Sequence, residues 1–251
     1  MNNTVSIIMP TYNSKEFILD SIRSVQMQTY TDWELLITDD CSSDNTREII
    51  QDLADVDQRI RLFQCAENGG AGIARNLSIK KAIGRYIAFC DSDDQWREEK
   101  LDKQISFMTE HDLAFSYGSY EKIDDDGVPI GVVTCLPRVS YNKMLKNNYV
   151  GCLTAMYDTK KVGKVFMPEI RKRQDWALWL DLLKRCGEAR GIVQPLAIYR
   201  SRSGSISSNK LEMIKYNWII FHDIEKLGLL RSSWCMIAFM WQYCLKKVVG
   251  K

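Results

Sequence analysis

The stretch Tyr86-Ile87-Ala88-Phe89-Cys90-Asp91-Ser92-Asp93-Asp94 decides the fold. Its first five residues form an apolar run too short for a helix and suited to a buried strand, and the run ends abruptly in three carboxylates within four positions. Upstream the same grammar recurs. Val5 to Met9 is a short apolar run closed by Pro10, followed by Ile18, Ile22 and Val25 at helical spacing. Trp33 to Thr38 ends at Asp39-Asp40, after which Ser43 or Asp44 can cap a helix carrying Ile49, Ile50 and Leu53. Ile60 to Phe63 leads through Gly69, Gly70 and Gly72 into a helix from about Ile73 to Ala82. Strands alternating with helices of this length predict an α/β fold with parallel pairing, and ligands of such sheets gather beyond the carboxyl ends of the strands. The polar clusters fall there.

Downstream the pattern becomes mixed. Leu113 to Tyr120, the turn Asp124-Asp125-Asp126-Gly127 and the return from Val128 to Thr134 predict a hairpin. Gly151 to Tyr157 reads as another strand, Asp175 to Lys184 as an amphipathic helix and Gly191 to Tyr199 as a final strand. A chain of 251 residues buries one sizeable core plus an appendage. We therefore expect one domain over residues 1–208, divided into a nucleotide-binding half (1–95) and an acceptor half (96–208), with a helical tail over 209–251.

A net charge of +2 provides no broad basic field, which excludes nucleic acid as a partner and requires any anionic ligand to be met locally. The eight cysteines, at 41, 65, 90, 135, 152, 186, 235 and 244, contain no C-x-x-C pair and lie partly in apolar runs, as suits reduced thiols in a cytoplasm. Met1-Asn2-Asn3-Thr4 runs straight into the first strand without a charged leader, so nothing directs export.

Three adjacent carboxylates repel one another unless a cation relieves them. Hard divalent ions such as Mg2+ or Mn2+ prefer oxygen ligands and keep positions open for phosphate oxygens, so a strand-end Asp-x-Asp fits a metal-diphosphate site. On the residues alone, an exposed acidic loop or a cap leading into Glu98 to Glu110 is an equal reading. At Asp39-Asp40, either one carboxylate closes a turn or it accepts the imide hydrogen of a uracil. His111 and His222 have no partner at metal or triad spacing and read as surface or packing residues.

Taken in order, Ser6-Ile7-Ile8-Met9-Pro10-Thr11-Tyr12-Asn13, Asp39-Asp40 with Ser42 and Asp44, Asn68 to Gly72 with Ala74-Arg75-Asn76, Asp91 to Asp94, Arg173-Gln174-Asp175-Trp176 and Tyr199-Arg200 form a specific set. The chain thereby resembles the family 2 glycosyltransferases over about residues 4–210, most closely those of O-antigen and teichuronic-acid type surface polysaccharides. The resemblance implies a GT-A fold, with a Rossmann-like nucleotide half, a mixed acceptor half and metal-dependent inverting transfer of a hexose from a UDP-sugar. It implies that Pro10, Thr11, Tyr12 and Asp40 surround base and ribose, with Asp39 nearby and Arg75 reaching the nucleotide. Asp93 is then the direct metal ligand, Asp91 holds ribose or sugar, and Ser92 completes that turn. Asp175 becomes the general base, flanked by Gln174 and Trp176 on the acceptor side. A carboxylate opposite the leaving diphosphate can take the acceptor proton late in the displacement; on its position alone, Asp175 equally suits a helix start favoured by the dipole.

Two departures from the family pattern stand out. Gln174 occupies a place where Glu is common, and Arg202 one where many relatives have His. A guanidinium cannot ligate a cation, so Arg202 is expected to neutralise the leaving diphosphate together with Arg200, from a loop carrying Ser205.

Trp234 to Leu245 is almost wholly apolar, flanked by Arg231 and by Lys246, Lys247 and Lys251, and at about 12 residues is short of the roughly 20 that span a bilayer. It reads either as an interfacial helix or as one packed on the domain or in a homodimer. The expected acceptor is a lipid-diphosphate-linked saccharide at the inner face of the cell membrane. Two other classes are weighed. A sugar nucleotidyltransferase would need a glycine-rich, Arg-containing loop after the first strand, and Pro10-Thr11-Tyr12-Asn13 is not one. A non-catalytic nucleotide-binding module would leave Asp93, Asp175 and Arg200 dispensable.

Overall fold

A computed structural model describes residues 3–202 and 210–249, with side chains over 3–202 and 212–242. Ser205 therefore lies outside the described residues. Three αβ-type units open the chain: β1 (Val5–Thr11), α1 (Ile18–Gln26), β2 (Trp33–Asp39), α2 (Thr46–Val56), β3 (Ile60–Gln64), α3 (Ala71–Lys81) and β4 (Tyr86–Phe89). Then come β5 (Gln95–Trp96), α4 (Lys100–Glu110), β6 (Phe115–Ile123), β7 (Pro129–Val133), β8 (Arg138–Ser140), α5 (Tyr141–Met144), β9 (Met156–Asp158) and α6 (Thr159–Val162). The second half closes with α7 (Gln174–Cys186), β10 (Glu188–Arg200), α8 (Lys210–Trp218) and, after a π-helical segment over Ile219–Ile224, α9 (Gly228–Val249).

All ten strands form one sheet, ordered β3-β2-β1-β4-β9-β6-β10-β5, with β7 beside β6 and β8 beside β10. The first four in that order are parallel, as the alternating pattern predicts. Because β9 is antiparallel to both β4 and β6, and β10 is parallel to β6, strands β1, β2, β4 and β10 all end on the same edge. Sheet pairing between β4 and β9 crosses the expected 95/96 division, so the two halves share one continuous sheet.

Every residue of β1 and β2 is buried, as covering both faces of a parallel sheet demands. Alternation sends Val5, Ile7 and Met9 to one face, against Ile18, Ile22 and Leu101, while Ile8 and Leu36 join Phe89, Phe115 and Trp179 on the other. The hairpin of β6 and β7 has its expected turn, with Gly127 at φ 83° and the Asp124 amide donating to the Val128 carbonyl.

One expected strand is corrected. Gly151 to Tyr157 does not run extended: Cys152–Thr154 is a 3₁₀ turn closed by Thr154 N to Gly151 O and Ala155 N to Cys152 O, and pairing begins only at Met156. The hydroxyl of Thr154 donates to the Gly118 and Gly151 carbonyls, an option that favours a local turn over a ladder. The seven described cysteines are free thiols. His111 packs its ring edge-on to Phe107, and His222 stacks on Trp218.

Candidate active site

Four loops converge at the common carboxyl edge. Beyond β1, Asn13 adopts a left-handed φ of 48° and donates its amide to Ser42 Oγ, while its side chain accepts from the Ser43 amide. These bonds lock the turn after β1 to the turn after β2. Ser14 then lies 2.8 Å, hydroxyl to hydroxyl, from Ser92, which fastens both turns to the acidic turn after β4.

The two carboxylates after β2 have different environments. Asp40 accepts the amides of Gly69 and Gly70 with its two carboxylate oxygens, at 2.9 and 2.7 Å, and so pins the turn that starts α3, where Gly70 sits at φ 90°. Asp39 accepts the Ser42 amide through Oδ2, but its buried Oδ1 has no partner, nor does Thr11 Oγ1. Thr11 and Asp39 face each other in the parallel register, so two unsatisfied polar atoms stand side by side at the ends of β1 and β2. Buried polar atoms are normally paired, and an unpaired couple at a strand edge marks a place for a polar ligand. Of the pair Asp39-Asp40, Asp39 thus keeps a carboxylate oxygen free while both oxygens of Asp40 are engaged by amides. Tyr12, half exposed beside them, offers a ring face.

Arg75 is buried at the start of α3 and pairs with Asp91 at 2.5 Å. Burial alone would loosen its proton, but the negative charges of Asp91 and Asp175 outweigh this and hold it firmly protonated. Arg75 thus contacts the carboxylate after β4 and lies within the electrostatic reach of the carboxylate on α7. Asp175 lies in the first turn of α7, where an αL residue, Arg173, precedes the helix, and it accepts from Asn148 Nδ2 at 3.1 Å. Asp93 has its carboxyl pKa raised, by burial first and by Asp91 second, against the opposing charge of Arg202, whose guanidinium is 3.6 Å away. Asp94 is buried, its pKa pushed well up by burial and by Asp93 and Asp91; it accepts the Arg200 amide and thereby ties β10 to the acidic turn.

Among the described residues no three His, Cys, Asp or Glu side chains converge as a metal cage. A divalent cation would have Asp93 as its protein ligand and would take its other oxygens from phosphate, a donor set that hard cations accept. Asp93 fits this, since it is a partly buried carboxylate whose cationic partner, Arg202, is held only at 3.6 Å, while Asp91 repels it.

Several expected contacts are corrected. Trp176 is fully buried, donates Nε1 to the Met144 carbonyl and packs on Phe221 and Phe239; it is a core residue rather than an acceptor contact. Gln174 is buried over Gly72, where a β-carbon would come within 3.1 Å of its Cγ, so packing fixes its side chain against α3. Ser92 spends its hydroxyl on Ser14 and is a brace. Arg200 directs its guanidinium to the carbonyls of Asp124 and Asp125 in the hairpin turn and over the Phe17 ring. Arg202 also lies over Phe17 but reaches Asp93, so it alone of the pair faces the acidic turn. Pro10 is the last but one residue of β1 and is buried.

Three groups near the site carry no role in the sequence reading, although Tyr199 stands in its motif set. Asn148 orients Asp175, and no local pattern announces it. Cys152 sits among Arg75, Asp91 and Asp175, with its thiol pKa pushed well up by burial. Tyr199 senses Asp94, Asp93 and Asp91, and burial together with those charges raises its phenol pKa; its ring packs on Tyr120. Alternation along β10 from the buried Ala197 could have placed Tyr199 on that face.

A parallel αβ sheet with an acidic strand end facing a carboxylate at a helix start is the architecture of nucleotide-sugar transferases, and the model of Glycosyl transferase family 2 matches residues 6–162. The chain belongs to this family and has its GT-A fold. It is 43% identical over 236 residues, covering 94% of both chains, to TuaG of Bacillus subtilis (strain 168), named for teichuronic acid biosynthesis. It is 41% identical over 234 residues, 90% of this chain and 88% of the other, to Escherichia coli WfgD, a UDP-Glc:alpha-D-GlcNAc-diphosphoundecaprenol beta-1,3-glucosyltransferase. S. aureus TarS 1-349 in complex with UDP-GlcNAc superposes with a TM-score of 0.73 at 22% identity over 94% of this chain and 71% of that one. The Pyrobaculum calidifontis mannosyltransferase PcManGT in complex with GDP-Man and Mn2+ superposes at 0.65 with 14% identity, over 100% of this chain and 76% of that one.

Proposed function

We propose that this glycosyltransferase moves a hexose, glucose first among candidates, from a UDP-sugar to a hydroxyl of a lipid-diphosphate-linked saccharide, with inversion, at the cytoplasmic face of the membrane. The observation that carries the reading is the placement of Asp175: Asn148 holds its carboxylate at 3.1 Å, and it lies within the electrostatic reach of Arg75, which pairs with Asp91 at the acidic strand end. The names of WfgD and TuaG support the donor and the class of polymer.

In this reading the imide of uracil donates to the unpaired Oδ1 of Asp39, and Thr11 Oγ1 bonds a neighbouring polar atom of the nucleotide. Tyr12 covers the base, and Arg75 holds Asp91 in position for a donor hydroxyl. Arg202 swings between Asp93 and the leaving diphosphate. The acceptor hydroxyl attacks the anomeric carbon from the α7 side; the bond to the diphosphate breaks as the new glycosidic bond forms, and the proton passes to Asp175. Asp93 would hold a divalent cation, which when bound would supply charge stabilisation to the departing diphosphate.

The test is UDP release by purified protein with UDP-glucose, UDP-galactose and UDP-GlcNAc, with Mn2+ or with chelator, with and without a GlcNAc-diphosphate-lipid analogue. Acceptor-stimulated release that falls about 10²- to 10⁴-fold in Asp175→Asn, with UDP affinity kept, is the expected result. Full transfer by folded Asp175→Asn would refute the assignment of the base.

A further inference from the structure

The outer face of α9 is apolar and uncovered. Leu230, Trp234, Ile237 and Trp241 follow one another at spacings of four, three and four residues and are 91%, 65%, 59% and 67% exposed. They make one stripe about 16 Å long. Burial of the opposite face explains why the helix is ordered at all: Ser232, Cys235 and Met236 are buried, and Phe239 packs on Trp176.

The charges on this helix have one sign. Over its 22 residues α9 carries Arg231, Lys246 and Lys247 and no Asp or Glu. Exposed tryptophans on a helix whose only charged residues are basic are the composition of a helix lying in the headgroup region, where indole rings bridge polar and apolar layers and basic residues are drawn to anionic lipid. No helix of the described residues is long and apolar enough to cross a membrane, so the stripe lies along the surface.

The inner face of α9 leads back to the chemistry. Gln242 accepts the Tyr149 hydroxyl, the next residue is Asn148, and Asn148 holds Asp175. Trp176, adjacent to Asp175, packs on Phe239 of α9. We infer that α9 is a docking surface for an anionic bilayer, seated behind the base-bearing end of α7 so that the acceptor side of the cleft is held at the lipid surface. This inference rests on the reading above for its purpose but not for its measurement.

The experiment uses the full chain and Trp234→Ala/Trp241→Ala, floated with vesicles of equal parts phosphatidylglycerol and phosphatidylcholine or of phosphatidylcholine alone. Both replaced side chains are exposed, so the melting temperature is expected to hold. The natural chain should float with the anionic vesicles, the double variant should bind them at least about tenfold more weakly, and both should bind the neutral vesicles less. Equal binding by the two chains overturns the inference. So does failure of the natural chain to bind while it forms a dimer that the double variant loses, because the face would then belong to a second copy. UDP release with a short-chain soluble acceptor analogue should be the same in both chains. If the natural chain shows no UDP-sugar turnover yet floats, the proposed reaction fails and the docking surface stands.

Discussion

Lys100 gives a prediction whose size follows from its surroundings. It starts α4, directly after β5, and is fully buried, with Nζ 2.9 Å from Gln104 Oε1 and 3.8 Å from the centre of the Trp96 ring. Burial pushes its pKa down from 10.5 to about 7, with a small opposing effect of Cys90. A drop of about 3.5 units at 1.36 kcal/mol each is on the order of 5 kcal/mol. The unfolded chain binds the proton more tightly than the folded one, so stability rises with pH between about 7 and 10.5 and is flat below and above. At neutral pH the fold carries this cost; at pH 10.5 it does not.

Replacing the ammonium with an apolar group of similar length, Lys100→Met, removes the cost but leaves Gln104 Oε1 without its donor. The Gln104 amide still donates to Ser116 and to the Thr154 carbonyl, so the loss is one buried acceptor, about 1–3 kcal/mol. At pH 7 the variant should be more stable by about 2–4 kcal/mol, and at pH 10.5 less stable by about 1–3. Urea unfolding of both proteins at intervals from pH 7 to 10.5, extrapolated linearly, measures the difference, and other titrating groups cancel in it. The advantage of the variant should shrink by roughly 1.4 kcal/mol per pH unit and reverse sign. A difference that stays constant across this range would refute a buried lysine with a depressed pKa.

Two further predictions separate structure from chemistry. Trp176→Ala should cost about 3–5 kcal/mol of stability in urea unfolding, because the lost ring fills the space between Met144, Phe221 and Phe239; unchanged stability with a raised acceptor KM would restore the residue to the acceptor side. Asn148→Ala should lower kcat about tenfold at constant donor KM, and Asn148→Asp should shift the acid limb of the pH-kcat profile upward, since a second carboxylate beside Asp175 keeps a proton there to higher pH. An unmoved acid limb in Asn148→Asp would remove Asn148 from the positioning of the base.

The parallel half was legible because its information is local. An apolar run of five or so residues that stops at carboxylates identifies both a buried strand and the edge where it ends, as β2 and β4 do, while β1 stops at Pro10-Thr11 and β3 at Gln64 before the glycine turn. Gly151 to Tyr157 shows where the rule runs out: the composition suits a strand, but side-chain hydroxyls and short-range amide bonds make a turn of Cys152–Thr154. Side-chain direction was read less well than position. Trp176 stands next to Asp175 in sequence, yet on a helix neighbours point about 100° apart. The pattern Trp176, Trp179, Leu180 and Leu183 was itself enough to assign Trp176 to the buried stripe.

Which of Asp39 and Asp40 keeps a free carboxylate oxygen was beyond any local signal. Successive residues at the end of a strand face opposite ways, so one of the two carboxylates must turn from the ligand whichever is chosen. The choice is made by the glycine turn some thirty residues later in the chain. Its Gly69 and Gly70 amides, exposed by the left-handed backbone at Gly70, need acceptors and take Asp40. Asp39, held on one oxygen by the Ser42 amide, is left with the other unsatisfied beside Thr11. A buried unpaired carboxylate oxygen costs free energy in the empty protein, and that cost is recovered only when a donor arrives. In the proposed reading, a ligand group that donates at this point is received by Asp39 because Asp40 is already bound to the glycine turn.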